Sequence, residues 1–191
     1  MIKTLKKLEK NLGFKLKDNT FCLAFDTATK SGIAIVDIVK GKVSIMTDIL
    51  KLVPMTKDAE DKAEIYEEKL ADFWLKVDIF AKDRIPNLEN RKSLLILENS
   101  FLKMNVVTFG FLRALQGIVY AKLKPKFDDV KIIFPVAARK LVGFESRLGK
   151  KAKSKDKKKE IVKWISNVVE EAIDDDNKAD ALLLAFAGLK Q

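Results

Sequence analysis

The apolar positions change their period along the chain, and each change marks an element. Residues 2–12 place Ile2, Leu5, Leu8 and Leu12 at helical spacing with lysines between, which predicts a short basic amphipathic helix. Residues 20–26 (TFCLAFD) are apolar on both faces, as a strand in the middle of a sheet must be. Thr27 to Gly32 reads as a turn, IAIVDIV as a second strand, Lys40-Gly41-Lys42 as another turn and VSIMTDILKLV as a third strand. Short turns between three strands predict an antiparallel meander. Ala59, Ala63, Tyr66, Leu70, Phe73, Val77 and Phe80 recur at three- and four-residue steps, giving a long helix over 57–84 that Pro86 stops. Beyond it come a buried strand at 93–98 (SLLILE), a helix at 105–124 ended by Pro125, and a strand at 130–134 (VKIIF). A short helix over 136–142 before Gly143, a helix over 157–172 and a last helix from near Asp176 complete the series.

Three strands, helix, strand, helix, strand and then helices predict an α/β fold. Its sheet is five-stranded and mixed, three antiparallel strands followed by parallel ones, with helices on both faces. This is the element order of an RNase H-like domain, although several α/β folds begin the same way. No internal repeat or Pro/Gly-rich linker interrupts the chain, and 191 residues suffice for one full core. The expected division is a basic N-terminal helical extension, 1–19, followed by the α/β domain, 20–191.

Composition narrows the chemistry. With 48% hydrophobic residues and 12 Phe, the chain is a folded protein. No continuous apolar run approaches the roughly 18 residues that cross a bilayer, and the start lacks the pattern of a secretory signal. The single cysteine, Cys22, lies in an apolar run and reads as a core thiol. Together these predict a cytoplasmic protein with no membrane partner. The absence of histidine excludes Ser-His-Asp and Cys-His catalysis and imidazole-based zinc sites. An enzyme built from what remains would use carboxylates, which favour hard cations such as Mg²⁺ or Mn²⁺.

The formal charge of +10 is concentrated. Residues 1–17 carry six Lys and one Glu, and 147–159 carry Arg147, seven Lys and one Asp, so the rest of the chain sums to −2. Arg147, Lys150, Lys151, Lys153, Lys155, Lys157, Lys158 and Lys159 therefore form a candidate nucleic-acid-binding segment. The alternative is a solvated lysine-rich loop.

Two carboxylates close apolar strands: Asp26 ends TFCLAF and Glu98 ends SLLIL. Ligands of open α/β sheets bind at that edge. Asp180 stands one turn into a final helix that is otherwise almost wholly apolar, where an unpaired charge is costly. Three carboxylates gathered at one place repel each other and stay ionised together only with a cation. Each also has a plainer reading. Asp26 suits a turn with Thr27 and Thr29, Glu98 suits a cap, and Asp176 and Asn177 both suit a helix N-cap.

In their order and spacing these segments resemble the RuvC family of Holliday junction resolvases. AFDTATKSGIAIVD is similar to the family's opening motif, in which an Asp ends the first strand and a Gly opens the second. LLILENSFLKMN is similar to its second motif, a Glu ending a strand with a phenylalanine soon after, and DNKADALLLAFAGL to its last. Between them, Gly117 inside a helix, a strand, VGF, a basic stretch and KKEIVKWI match in outline. The likeness covers about 20–190, and the basic N-terminus with relaxed motifs looks most like bacteriophage members.

The resemblance implies a structure-selective DNA endonuclease that resolves four-way and other branched DNA by phosphodiester hydrolysis with two Mg²⁺ or Mn²⁺ ions. Asp26, Glu98 and Asp180 would be metal ligands. The family's fourth acidic position falls on Asn177, which brings no charge; Asp176, on the same helix face as Asp180, is the alternative. Lys158 matches a lysine that lies near the scissile phosphate in the family. Two symmetric cuts imply a homodimer, with the helix at 105–124 as a candidate seam. Phe101, Met104 and Phe144 are candidates to stack on splayed bases, or to pack in the core. Two other readings remain: an RNase H-like nuclease acting on flaps, forks or RNA–DNA hybrids, and a non-catalytic branched-DNA-binding protein.

Overall fold

The computed structural model describes residues 1–52, 62–99, 106–146, 148 and 153–190. β1 (Ile2–Thr4) and α1 (Leu5–Leu12) precede a meander of β2 (Thr20–Asp26), β3 (Lys30–Val39) and β4 (Lys42–Lys51). α2 (Lys62–Arg84), β5 (Lys92–Glu98), α3 (Val106–Leu123) and β6 (Asp129–Ile133) follow, then α4 (Pro135–Val142), α5 (Ser154–Val169) and α6 (Asp176–Leu189). The strands form one mixed sheet in the order β1-β4-β3-β2-β5-β6. The meander is antiparallel, whereas β5 runs parallel to β2 and β6 parallel to β5. The α/β class, the meander and the parallel half agree with the sequence reading.

The sheet has six strands rather than five, because the segment expected to be wholly helical opens as a strand. Ile2, Lys3 and Thr4 pair with Ser44, Val43 and Lys42 on β4. The helix begins only at Leu5, and it buries Leu8 and Leu12 in the core. Residues 1–19 are thus seated on the same sheet as the rest. Lys7 pairs with Glu170, and the Asn11 side chain donates to the Val168 carbonyl of α5 at 2.9 Å.

Other boundaries move modestly. β3 starts at Lys30, inside the expected turn, and α5 starts at Ser154 rather than 157 and ends at Val169. Pro135 occupies the first helical position of α4, where its missing N–H costs nothing. Residues 57–61 and 105, expected in helices, lie outside the described residues.

Side-chain parity divides the core into two layers. Cys22, Ala24, Leu94 and Ile96 pack with α6, α5 and α1. Phe21, Leu23, Phe25, Leu95 and Leu97 pack with α2 and α3. By length and composition α3 and the turn after it (Val106–Lys126) are apolar enough to cross a membrane. Yet Phe111, Leu115, Val119 and Leu123 are buried against the sheet and α2.

Candidate active site

Parity also decides where the strand-end carboxylates point. Asp26 continues the Cys22–Ala24 side of β2, and Glu98 continues the Leu94–Ile96 side of β5, so both emerge on the face that α6 covers. β2 and β5 pair in register up to Phe25 and Leu97, which leaves Asp26 and Glu98 adjacent at the strands' carboxyl ends. The two carboxyl groups share a hydrogen bond. Burial, the neighbouring Glu98 charge and that bond drive Asp26 well above the usual carboxylate range. Burial raises Glu98 as well, while its bond with Asp26 acts in the opposite sense.

Asp180 comes from α6. Its helix is docked by a close approach: a Cβ on Gly32 would lie 2.0 Å from the carbonyl oxygen of Asn177. Only glycine at that place on β3 lets the first turn of α6 rest on the sheet. Burial and Asp26 push Asp180 up to about 6, and an Arg139 guanidinium nitrogen 4.0 Å away acts against that rise. Among the described residues no group of three carboxyl or thiol side chains is drawn together tightly enough to cage an ion as it stands. Asp26 and Glu98 touch, and Asp180 acts on them through its field.

The donor set nevertheless fits a hard divalent cation. It offers carboxylate oxygens without imidazole, and buried carboxyls this close to one another mark a place where positive charge is missing. Asp26, Glu98 and Asp180 would hold the cation.

Around them the structure sorts the remaining candidates. Lys158 on α5 makes an ion pair with Asp176, which raises its pKa, and it acts favourably on Asp26 and Asp180. Asp176 is thereby committed to a lysine. The N-cap of α6 is neither Asp176 nor Asn177 but Asp175, whose carboxylate accepts from the Asn177 backbone N–H at 2.8 Å. The Asn177 amide donates to the same oxygen at 2.9 Å, so its side chain is engaged in the cap. Although burial opposes it, Lys30 and Asn177 hold Asp175 down at about 2.

Of the basic segment, Lys153, Lys155, Lys158 and Lys159 are exposed and Lys157 is half-buried. Arg147, Lys150 and Lys151 lie outside the described residues. Lys155, Lys158, Lys159 and Lys163 line a cavity of about 380 Å³ that reaches Asp174 and Asp176. Phe144 is a core residue, packed edge-on against Trp164 with ring centroids 5.6 Å apart, and so is not available to bases. Phe101 and Met104 lie outside the described residues.

Neither Arg139 nor the Lys30–Asp175 pair was anticipated from the sequence. Both depend on elements far apart in the chain. For Arg139 the only available signal was a basic residue one turn into the helix that follows β6.

No protein-family model matches the chain, and no curated protein matches it. Solved structures do. The RuvC of Thermus thermophilus superposes with a TM-score of 0.60 at 15% identity, covering 87% of this chain and 92% of its own. The same RuvC in complex with Holliday junction substrate gives 0.61 at 13%, covering 87% and 91%. The yeast mitochondrial Holliday junction resolvase Ydc2 gives 0.56 at 12%, covering 96% and 83%. The chain has the RuvC-type RNase H-like fold.

Proposed function

We propose that this chain is a metal-dependent endonuclease that resolves four-way DNA junctions. The observation that carries the reading is the juxtaposition of the Asp26 and Glu98 carboxyls at adjacent strand ends, with Asp180 beside them, on a RuvC-type fold. Bound there, divalent cations would activate a water and stabilise the leaving oxygen of a phosphodiester. The chain's own groups do the rest. Asp26, Glu98 and Asp180 would hold the cations, and Lys158 would offset charge developing on the phosphate. Lys155, Lys159 and Lys163 take the flanking phosphates.

Two symmetric cuts call for a homodimer. The surface that supports one is the outer side of α3 with β6: Val106 and Val107, then Ile132 and Phe134, are exposed apolar residues there. Gly110 and Gly117 on α3 leave open space above the backbone.

The test is cleavage of a synthetic four-way junction with Mg²⁺ or Mn²⁺, with and without EDTA, alongside three-way, flap and linear substrates. The expected result is metal-dependent, symmetric cutting of the four-way junction that Asp26→Asn and Glu98→Gln abolish while junction binding persists. Equal cutting of linear DNA or of RNA–DNA hybrid would redirect the reading to another RNase H-like nuclease. A non-catalytic junction-binding protein is the second reading, favoured by Asn177 in the cap and by the uncaged carboxylates. It prevails if the unaltered protein binds junctions and never cuts.

A further inference from the structure

Gln116 is buried on α3, 3% exposed, among the apolar residues that pack against the sheet. Both ends of its amide are bonded. Nε2 donates to the Glu98 carbonyl at 2.7 Å, and Oε1 accepts from Arg113 Nη1 at 2.5 Å. The same Arg113 nitrogen lies 3.4 Å from Asn99 Oδ1. Rotating the amide by half a turn would set donor against donor and acceptor against acceptor, so the partners fix one orientation.

The target of this amide is unusual. The Glu98 carbonyl belongs to the peptide unit whose other end is the Asn99 N–H, and that N–H donates to the Ile133 carbonyl of β6 at 2.9 Å. The peptide is therefore clamped on both sides, by the sheet at its nitrogen and by Gln116 at its oxygen. With the strand paired on the N-terminal side of Glu98, holding that peptide fixes the backbone on the other side of its Cα, and so the direction in which the side chain leaves toward Asp26. Filling a buried place on an apolar helix face with an amide is costly unless both ends are bonded, and a leucine would pack there more cheaply.

We infer that Gln116, oriented by Arg113, is a positioning residue that aims Glu98 at the carboxylate site by clamping the peptide behind it. This rests on the function proposed above. Groups that orient a metal-ligating side chain typically change metal affinity or activity by about 10–100-fold when removed.

The experiment compares Gln116→Leu, which keeps the volume and removes the amide, and Gln116→Glu, which can still accept from Arg113 but as a carboxylate cannot donate to Glu98. Three quantities are read: the Mn²⁺ concentration giving the half-maximal thermal shift, the single-turnover cleavage rate, and junction affinity in Ca²⁺. The expected result is a midpoint raised about tenfold and a rate lowered about 10–100-fold, with junction affinity unchanged. In a Glu98→Gln background, adding Gln116→Leu should leave the Mn²⁺ midpoint where Glu98→Gln put it, because both act through one ligand. A variant that merely melts earlier with the unaltered protein's midpoint and rate overturns the inference. Should Gln116→Leu fail to fold, Arg113→Met, which releases Oε1 and leaves the glutamine in place, must show the same displacement in smaller measure; an unshifted midpoint there is equally fatal. If the unaltered protein neither gains stability from Mn²⁺ nor cuts junctions, it is the functional reading that has failed, and this inference goes with it.

Discussion

Gly32→Ala tests whether the seat of α6 governs the site. The added Cβ would stand 2.0 Å from the Asn177 carbonyl oxygen, 2.6 Å from its carbonyl carbon and 3.2 Å from its Cβ. Carbon and oxygen that are not bonded do not settle below about 3 Å, so the first turn of α6 must retreat by roughly 1 Å. Relief cannot come from a side-chain rotation, because the obstacle is backbone. Overpacking of this kind costs about 1–3 kcal/mol. The retreat carries Asp180, one turn further along the same helix, away from Asp26 and Glu98. A displacement near 1 Å at a catalytic group is worth about 100-fold in rate. Gly188→Ala is the control. Its Cβ would meet Ile96 Cδ1 at 2.4 Å, a side-chain obstacle. It sits eleven residues along α6 from Asn177, roughly 16 Å away. Urea denaturation should show both variants destabilised. Single-turnover cleavage of a four-way junction at saturating Mn²⁺ should show only Gly32→Ala slowed about 100-fold. A Gly32→Ala protein cutting at the normal rate, or a Gly188→Ala protein slowed as much, would refute the reasoning.

Three further outcomes are expected. Asp180 is raised from 3.8 to about 6, so the folded state binds more protons than the unfolded one between those values. Metal-free stability should therefore fall as pH rises from about 4 through about 6, by on the order of 2–3 kcal/mol, and saturating Mn²⁺ should flatten the profile in thermal melts. Asp26→Asn should melt higher than the unaltered protein without metal, since it removes the ionisable member whose charge burial and Glu98 oppose; it should also gain less from Mn²⁺ and lose junction cleavage. Asp175→Ala removes the N-cap of α6 and the partner of Lys30, and should cost about 1 kcal/mol in urea titration while junction binding in Ca²⁺ is retained.

The central strands and their carboxylates were legible because burial on both faces leaves a continuous apolar run, and a charge closing such a run stands out. Asp26 and Glu98 needed only that, plus the period of two that sends them to one face. α6 was equally plain, starting where the acidic run gives way to ADALLLAFAGL. β1 was not, because a three-residue edge strand has no period of its own and exists through its pairing with β4. The cap was misassigned because Asp174, Asp175 and Asp176 offer equal chemistry in sequence, and tertiary packing with Lys30 and Lys158 selects among them. Gln116 carries no local signal, and Arg139 only its place one turn into α4; their roles follow from which peptide or carboxylate the fold sets before them.

The two margins of the sheet are unlike each other. At one, the chain's own first residues pair with Lys42, Val43 and Ser44 at the start of β4 and bring Lys3 to the rim. The other ends at β6 with Ile132 and the following Phe134 uncovered. A long, flat rim invites stacking of copies, whereas short strands and lysines at a rim discourage it. The short N-terminal strand thus shortens the unpaired length of β4 and sets a lysine beside it, which disfavours the addition of a foreign strand at that rim.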